Sequence, residues 1–344
     1  LCAPGSAPGA RALSLPPVPE VALVLGGGGL VGHAWHVGAL AGLADATGWA
    51  PGPADLIVGT SAGAVVGAEL RAGLHPSDLL RPGVGAAPTT RPVPARGPLS
   101  FRPAAPAMAL RALGARAPGG LAAAGMLPRG RHDPGIIRAA IARLHPEAGP
   151  WPPSLWITAV RLADGRRVVF GREGPTQGPE PSLPPVDLPT AVAASCAMAG
   201  FFRPVPIGGA DHVDGGSRSA TNADLVAGGG FALVVVSSPL SLGDEAGAGP
   251  RRLVPAAARL HRLAHHRRLR GELDDVQRAG SLVLALEPDA GDVAVMGSIA
   301  SSMDFARRVA VAAHARASVA RRVGSSAALA PVRALLGAVP LPEP

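Results

Sequence analysis

The residues best suited to covalent chemistry are a serine and the glycines that flank it. Ser61 lies in the segment Gly59-Thr60-Ser61-Ala62-Gly63, directly after the apolar run 55–58. This order predicts a buried strand that turns sharply into a helix, with an exposed hydroxyl at the strained turn and no Cβ atoms to collide beside it. The helix start also directs unpaired N–H groups toward the serine. Ser61 is therefore a candidate nucleophile, and the alternative is an ordinary glycine-containing turn.

A glycine-rich segment forms another strand, loop and helix pattern. The apolar run 21–25 precedes four glycines, and Gly27 to Gly32 fits the spacing G-x-G-x-x-G. The N–H groups of such a loop can approach a pyrophosphate or a tetrahedral oxyanion. A dinucleotide site would also need an acidic residue at the end of the next strand, about 20 residues further on. That strand ends in the serine turn, and Asp55 lies at its start, so the oxyanion interpretation is favoured.

A third motif supplies a carboxylate. Asp214 follows a short apolar stretch, 205–207, and precedes Gly215 and Gly216. Alone, Asp-Gly-Gly is typical of a turn. A hydroxyl nucleophile needs a base within hydrogen-bond reach, and a desolvated carboxylate can serve where no imidazole is available. The two glycines would let the backbone pass close to the serine turn, which makes Asp214 the candidate base.

Together these motifs resemble the patatin-like phospholipase family, over about residues 20 to 320. The resemblance implies an α/β fold of three layers, α/β/α, with a mainly parallel central sheet and Ser61 on a nucleophile elbow. It also implies a Ser61–Asp214 dyad that hydrolyses fatty-acyl esters of phospholipids or related lipids, with no cofactor and no metal. The oxyanion hole would be formed by the loop residues Gly27, Gly28 and Gly29. The same motifs include Gly32, Gly59, Gly63, Gly215 and Gly216.

Two alternative functions stay open. Many family members carry Arg or Lys where this chain has Val31, so a catalytically weak lipid-binding or regulatory member of the fold is the first. The second is a Ser-His-Asp triad on an α/β-hydrolase fold, in which the histidine comes last. His314 comes late enough but lies within a predicted helix. His33 and His36 follow the glycine loop and are predicted to pack on the first helix, with contact to the site as the alternative. No His, Cys and carboxylate set has metal-ligand spacing.

Strand and helix patterns alternate at the spacing of parallel β-α-β units. Strands are predicted at 21–25, 55–60, 155–162, 167–170, 231–237 and 282–286, and helices at 33–46, 62–73 and about 302–322. Asp164-Gly165 predicts a hairpin turn. These elements predict one patatin-like domain, 20–322.

The segments outside this pattern are rich in Pro, Gly or Arg. Residues 1–19 are predicted to be a disordered N-terminal tail and residues 323–344 a partly ordered C-terminal tail. The insertion 76–134 is interpreted as a cap or lid beside the site. The alternative is a disordered insertion of no function.

The formal net charge of +8 predicts a positive surface potential, suited to anionic lipid head groups or nucleic acid. The densest cluster, 251–270, interleaves arginine and histidine with leucine at helical spacing and predicts an amphipathic helix. This Arg-rich helix is interpreted as a packed surface helix with a solvated basic face. The alternative is peripheral contact with an anionic membrane or micelle that carries the lipid substrate. No nucleic acid is expected, because the cluster lacks aromatic residues for base stacking.

Cysteine usage and hydropathy predict a cytoplasmic setting, with peripheral membrane association as an addition. Cys2 and Cys196 give no disulfide framework, and Cys196 is predicted to be a buried core residue. No apolar run reaches the length of a transmembrane segment. Residues 1–19 lack the basic region and apolar core of a signal peptide.

Overall fold

The computed structural model describes residues 20–81, 84–86, 102–115, 119–146, 149–172, 185–243 and 256–338. The predicted N-terminal tail, residues 251–255 of the Arg-rich helix and parts of the 76–134 insertion lie outside these ranges. Eight strands are described, namely β1 Val21–Leu25, β2 Leu56–Thr60, β3 Leu155–Arg161, β4 Arg167–Phe170, β5 Val205–Ile207, β6 Ala210–Asp214, β7 Leu233–Ser237 and β8 Leu282–Leu286.

The eight strands form one sheet in the order β5-β6-β3-β2-β1-β7-β8, and β4 pairs with β3. Strands β3, β2, β1, β7 and β8 are parallel, whereas β4, β5 and β6 pair in antiparallel fashion. Every residue of β1, β2 and β7 is buried, which fits their nearly continuous Val, Ile and Leu content and their position at the sheet centre. The β3–β4 pairing confirms the predicted hairpin.

Ten α-helices are described, namely α1 Gly29–Thr47, α2 Ala62–Arg71, α3 Pro106–Gly114, α4 Gly119–Met126, α5 Gly135–Ala142, α6 Leu188–Ser195, α7 Ala256–Arg278, α8 Ala290–Met296, α9 Arg308–Ser325 and α10 Ala330–Ala338. Alternate side chains of a strand point to opposite faces of the sheet. In β1, Leu23 packs in the core shared with α1, α2, α5, α6, α9 and α10, whereas Val24 packs in the core shared with α7. The predicted three-layer α/β/α fold is therefore confirmed.

The 76–134 insertion contributes two helices that pack on the sheet. Helices α3 and α4 form a smaller core with Val160 of β3 and Val213 of β6. The predicted C-terminal tail contains α10, whose Val332 and Leu336 are buried in the largest core. Because alanine is common throughout this chain, the apolar periodicity of these helices does not stand out from the surrounding sequence. Neither segment could therefore be assigned reliably as helical from sequence.

Several helix boundaries differ from the sequence prediction. Helix α1 begins at Gly29, within the glycine loop, rather than at 33, and α2 ends at Arg71 rather than at 73. The helix expected from about 302 begins at Arg308, because the Asp304 side chain accepts the Ala306 N–H at 3.0 Å and caps a short 3-10 turn, Phe305–Arg307. The Arg-rich helix continues as α7 to Arg278 rather than ending at 270. Within the described residues, no helix combines the length and the apolar character that a membrane crossing requires.

Candidate active site

Ser61 occupies the turn between β2 and α2 in a conformation that is unusual for a residue with a side chain. Its backbone has φ 52 and ψ −117, and its N–H donates to Ser195 Oγ at 2.8 Å. A non-glycine residue with positive φ stores strain that the surrounding structure must hold. Gly59 and Gly63 allow the close approach, since a Cβ at Gly59 would lie 2.6 Å from the Ala64 Cα. This is the geometry expected of a nucleophile elbow.

Gly63 is the position where the elbow is packed most tightly. A Cβ there would lie 2.1 Å from the Leu25 carbonyl oxygen, and the Gly63 N–H donates to the Gly26 carbonyl at 3.1 Å. We therefore expect Gly63→Ala to lower the free energy of unfolding by about 2–3 kcal/mol, measured by urea denaturation, because β1 cannot move away freely. Gly114→Ala is the matched control, since its Cβ would enter open space. Equal stability of the two variants would contradict this packing.

Asp214 ends β6 and lies beside Ser61. One of its oxygens, Oδ1, accepts the Gly216 N–H at 2.7 Å, and its carboxyl group shares a cavity wall with the Ser61 side chain. Gly215 lets this turn approach β3, because a Cβ there would lie 2.4 Å from Thr158 Oγ1. Burial raises the pKa of Asp214 to about 6, against the lowering influence of the Ser61 side chain and of the Gly216 N–H. A carboxylate with this pKa can exchange a proton near neutral pH.

The glycine loop lies directly against the serine. A Cβ at Gly27 would lie 3.4 Å from the Ser61 Cβ. The Gly27 N–H donates to the Ala220 carbonyl at 2.8 Å, whereas the N–H groups of Gly28 and Gly29 have no acceptor among the described residues. Gly29 has φ 65, which favours glycine. The loop therefore presents the Gly28 and Gly29 N–H groups as candidate oxyanion donors, while the Gly27 N–H is already engaged.

His36 supports the loop from behind. Its Nε2 donates to the Gly26 carbonyl at 2.7 Å, and its Nδ1 accepts from Ser237 Oγ at 2.7 Å. Burial lowers the pKa of His36 to about 3, so the ring is neutral and fits this donor and acceptor arrangement. From sequence, His36 was expected to pack on the first helix, with contact to the site as the alternative. The closeness of His36 to the glycine loop in the sequence was the feature that could have indicated this supporting contact.

The end of α6 holds the elbow from the other side. Cys196 Sγ donates to the Ser61 carbonyl at 3.3 Å, next to the Ser195 contact with the Ser61 N–H. Burial, together with the Asp214 charge, raises the pKa of the Cys196 thiol. This agrees with the prediction of a buried core residue. The role of Ser195 in holding the serine was not foreseen.

A cavity of about 800 Å³ opens at these residues. Ser61, Asp214 and the three loop glycines lie in its wall, and most of the remaining lining is apolar. The 76–134 segment contributes to this lining through α4 and the residues after it, including Ala123, Ala124, Leu127 and Arg131. A volume of this size lies within the range of small-molecule and cofactor sites.

Neither His314, the histidine of the alternative triad, nor His33 forms a hydrogen bond with Ser61 among the described residues. His314 lies outside the described lining of the cavity, and its Nδ1 is 2.7 Å from Asp292 Oδ1. His33 is buried in the wall, with its Nε2 2.8 Å from Glu69 Oε2. The described residues bring together no group of three His, Cys, Asp or Glu side chains that could hold a metal ion.

A protein-family model matches more than half of the chain. The model of the patatin-like phospholipase family matches residues 23–227, a range that includes the glycine loop, Ser61 and Asp214. Among curated proteins, no similar sequence was found. The chain belongs to the patatin-like phospholipase family.

Proposed function

We propose that this protein is a serine acyl hydrolase that cleaves fatty-acyl esters of phospholipids or related lipids. Membership of the family implies lipid acyl hydrolase activity in general. Our proposal adds the residues, with Ser61 as nucleophile, Asp214 as base, and Gly28 and Gly29 as oxyanion donors. The observation that carries it is the meeting, in the wall of one cavity, of a serine on a strained turn and a buried carboxyl group whose pKa is raised to about 6.

The first half of the reaction forms an acyl-enzyme. Ser61 Oγ attacks the ester carbonyl carbon while the Asp214 carboxylate takes the hydroxyl proton. The carbonyl oxygen becomes an oxyanion that accepts hydrogen bonds from the loop N–H groups, each worth roughly 3 kcal/mol in well-studied hydrolases. Asp214 then gives its proton to the leaving alcohol oxygen as the C–O bond breaks. The lysolipid leaves, and the acyl group stays on Ser61.

The second half returns the enzyme to its starting state. A water molecule attacks the acyl carbonyl while Asp214 takes one of its protons. Collapse of the second tetrahedral intermediate breaks the bond to Ser61 Oγ, which recovers its proton from Asp214. The products are a fatty acid and free enzyme, so no cofactor or metal is required by this scheme.

The catalytically weak lipid-binding member is the second candidate, because Val31 stands where many family members carry a cation. Incubation with phospholipid vesicles and mass spectrometry of the lipids distinguishes the two functions. A hydrolase releases fatty acid and lysophospholipid in a Ser61-dependent manner. A binding protein cosediments with the vesicles and leaves their lipids intact, which would contradict the proposal.

The substrate is expected to enter from a lipid surface, at a rim formed by Leu127, Ile136 and Met198. These three side chains line the cavity and are 43%, 37% and 38% exposed. Exposed apolar residues around a lipid-binding cavity suit contact with a membrane. The exposed Arg267 and Arg270 of α7 are proposed to add attraction to anionic lipid.

Replacing a rim residue by a charged one should therefore impair hydrolysis only at an interface. For Leu127→Asp we expect a loss of about tenfold on phospholipid vesicles and little change on a soluble short-chain ester. Leu282→Asp is the matched control, since Leu282 is 47% exposed but lies outside the described cavity lining. Equal loss on both substrates would contradict a docking role.

For Arg267→Gln we expect weaker binding to anionic vesicles at low salt only.

A further inference from the structure

Arg262, on the inner side of α7, is a buried cation near the glycine loop. It is 6% exposed, and its guanidinium donates to the Pro239 carbonyl at 2.7 Å and the Ser241 carbonyl at 3.1 Å. Burial lowers the pKa of Arg262 to about 10, so the group stays charged at neutral pH. Within the described residues it forms no ion pair. The Asp292 charge offsets part of the effect of burial on the Arg262 pKa, but the hydrogen-bond partners of the guanidinium given above are carbonyl oxygens. A buried cation held in this way is costly to keep, which calls for a reason.

The segment that Arg262 holds packs on the glycine loop. A Cβ at Gly28 would lie 2.9 Å from Pro239 Cγ, and a Cβ at Gly32 would lie 3.3 Å from the same atom. The Pro239 ring therefore packs where Gly28 and Gly32 meet, since a Cβ at Gly28 would also lie 2.7 Å from the Gly32 Cα. Arg262 donates to the Pro239 carbonyl and so holds the Pro239 ring in place. The ring in turn restricts the position of Gly28.

The charge itself also lies close to the loop. Gly28, Val31 and Arg262 share the wall of a cavity of only about 20 Å³. This is about the space that one water molecule needs. Val31 is 3% exposed, and its N–H donates to the Ser302 carbonyl at 3.0 Å, so the family's usual cation position is filled by an apolar side chain.

We propose that Arg262 is a positioning residue for oxyanion stabilisation, in the place of the cation that Val31 does not provide. It holds Pro239 against Gly28 and places a positive charge beside the loop where negative charge develops. The inference rests on the proposed function, because it assumes that the Gly28 and Gly29 N–H groups receive the oxyanion. Such preorganised charge stabilises a transition state more than a bound substrate.

The test compares two variants that differ in charge. Arg262→Lys keeps the charge and donors for both carbonyls, whereas Arg262→Gln keeps a donor and loses the charge. For Arg262→Gln we expect kcat and the rate of fluorophosphonate labelling to fall by roughly tenfold or more, with KM unchanged. For Arg262→Lys we expect both rates to stay within about threefold of the unmodified protein. Arg278→Gln, at the exposed C-terminal end of the same helix, is the matched control and should leave both rates unchanged.

The outcomes separate this inference from the proposed function. Full rates in Arg262→Gln, or equal losses in both variants with an equal fall in Tm, would overturn the role of the charge. A rise in KM alone would overturn it as well. Failure of the unmodified protein to label at Ser61 would instead overturn the proposed function. If Arg262→Gln does not fold, the Lys variant decides, since a tenfold loss there with unchanged Tm would contradict the proposal.

Discussion

Replacing Ser61 with alanine is expected to abolish ester hydrolysis while the fold stays intact. The variant removes the hydroxyl that forms the acyl-enzyme, so we expect kcat to fall by at least about three orders of magnitude. The contact that anchors the elbow is made by the Ser61 backbone N–H to Ser195 Oγ and survives the change. Hydrolysis of a chromogenic ester, together with the urea unfolding midpoint, measures both effects.

The control for this variant is a second serine of the same cavity. Ser217 lies in the cavity wall but not on the elbow, so Ser217→Ala should keep substantial activity. Turnover by Ser61→Ala at the rate of the unmodified protein would contradict the assignment of the nucleophile. Loss of the folded state would mean that Ser61 is a structural residue.

The pH dependence of kcat/KM is expected to follow the ionisation of Asp214. Only the carboxylate can accept the Ser61 proton, and the pKa of Asp214 is raised to about 6 by burial. We therefore expect kcat/KM to be constant above about pH 7 and to fall about tenfold per pH unit below 6. In Asp214→Asn the activity should be lost at every pH. A profile with its midpoint near the ordinary carboxyl value would contradict this role.

The same substitution should stabilise the fold at neutral pH. The unfolded chain ionises Asp214 near 3.8, whereas the folded chain keeps the proton up to about 6. The folded state therefore binds more protons in this window, and the free energy of unfolding decreases as pH rises from about 4 to about 6. An asparagine at this position avoids that decrease. We expect Asp214→Asn to be more stable above pH 6, by up to about 3 kcal/mol.

Asp133 provides the control for both effects. It lines the same cavity but is exposed, so Asp133→Asn should leave the midpoint of the pH profile and the urea midpoint unchanged. A shift of the pH midpoint in this variant would show that Asp133 contributes to the titration assigned to Asp214.

The parts of the fold that could be predicted were those with strong local patterns. The buried strands β1 and β2 each precede a glycine-containing turn and a helix, so the positions of the glycine loop and Ser61 followed from neighbouring residues alone. Asp214 was assigned through its motif. Its place beside Ser61 depends on the antiparallel pairing of β6 with β3, which no local pattern specifies.

The supporting residues could not be predicted, because their partners are distant in sequence. Ser195 meets the Ser61 N–H across 134 positions, and His36 meets Ser237 across 201. From sequence, Arg262 was assigned to the basic surface of its helix, because the neighbouring residues do not distinguish a buried arginine from an exposed one. Its inward direction depends on the loop at Pro239, which packs on the helix only in the folded chain.

The central claim is that Ser61 is an activated nucleophile, and covalent labelling tests it most directly. Purified protein would be treated with a fluorophosphonate at pH 7.5, digested, and analysed by mass spectrometry to locate the adduct. We predict one adduct on the peptide that contains Ser61, slow labelling in Asp214→Asn and none in Ser61→Ala. Labelling at another residue, or none in the unmodified protein, would contradict the claim.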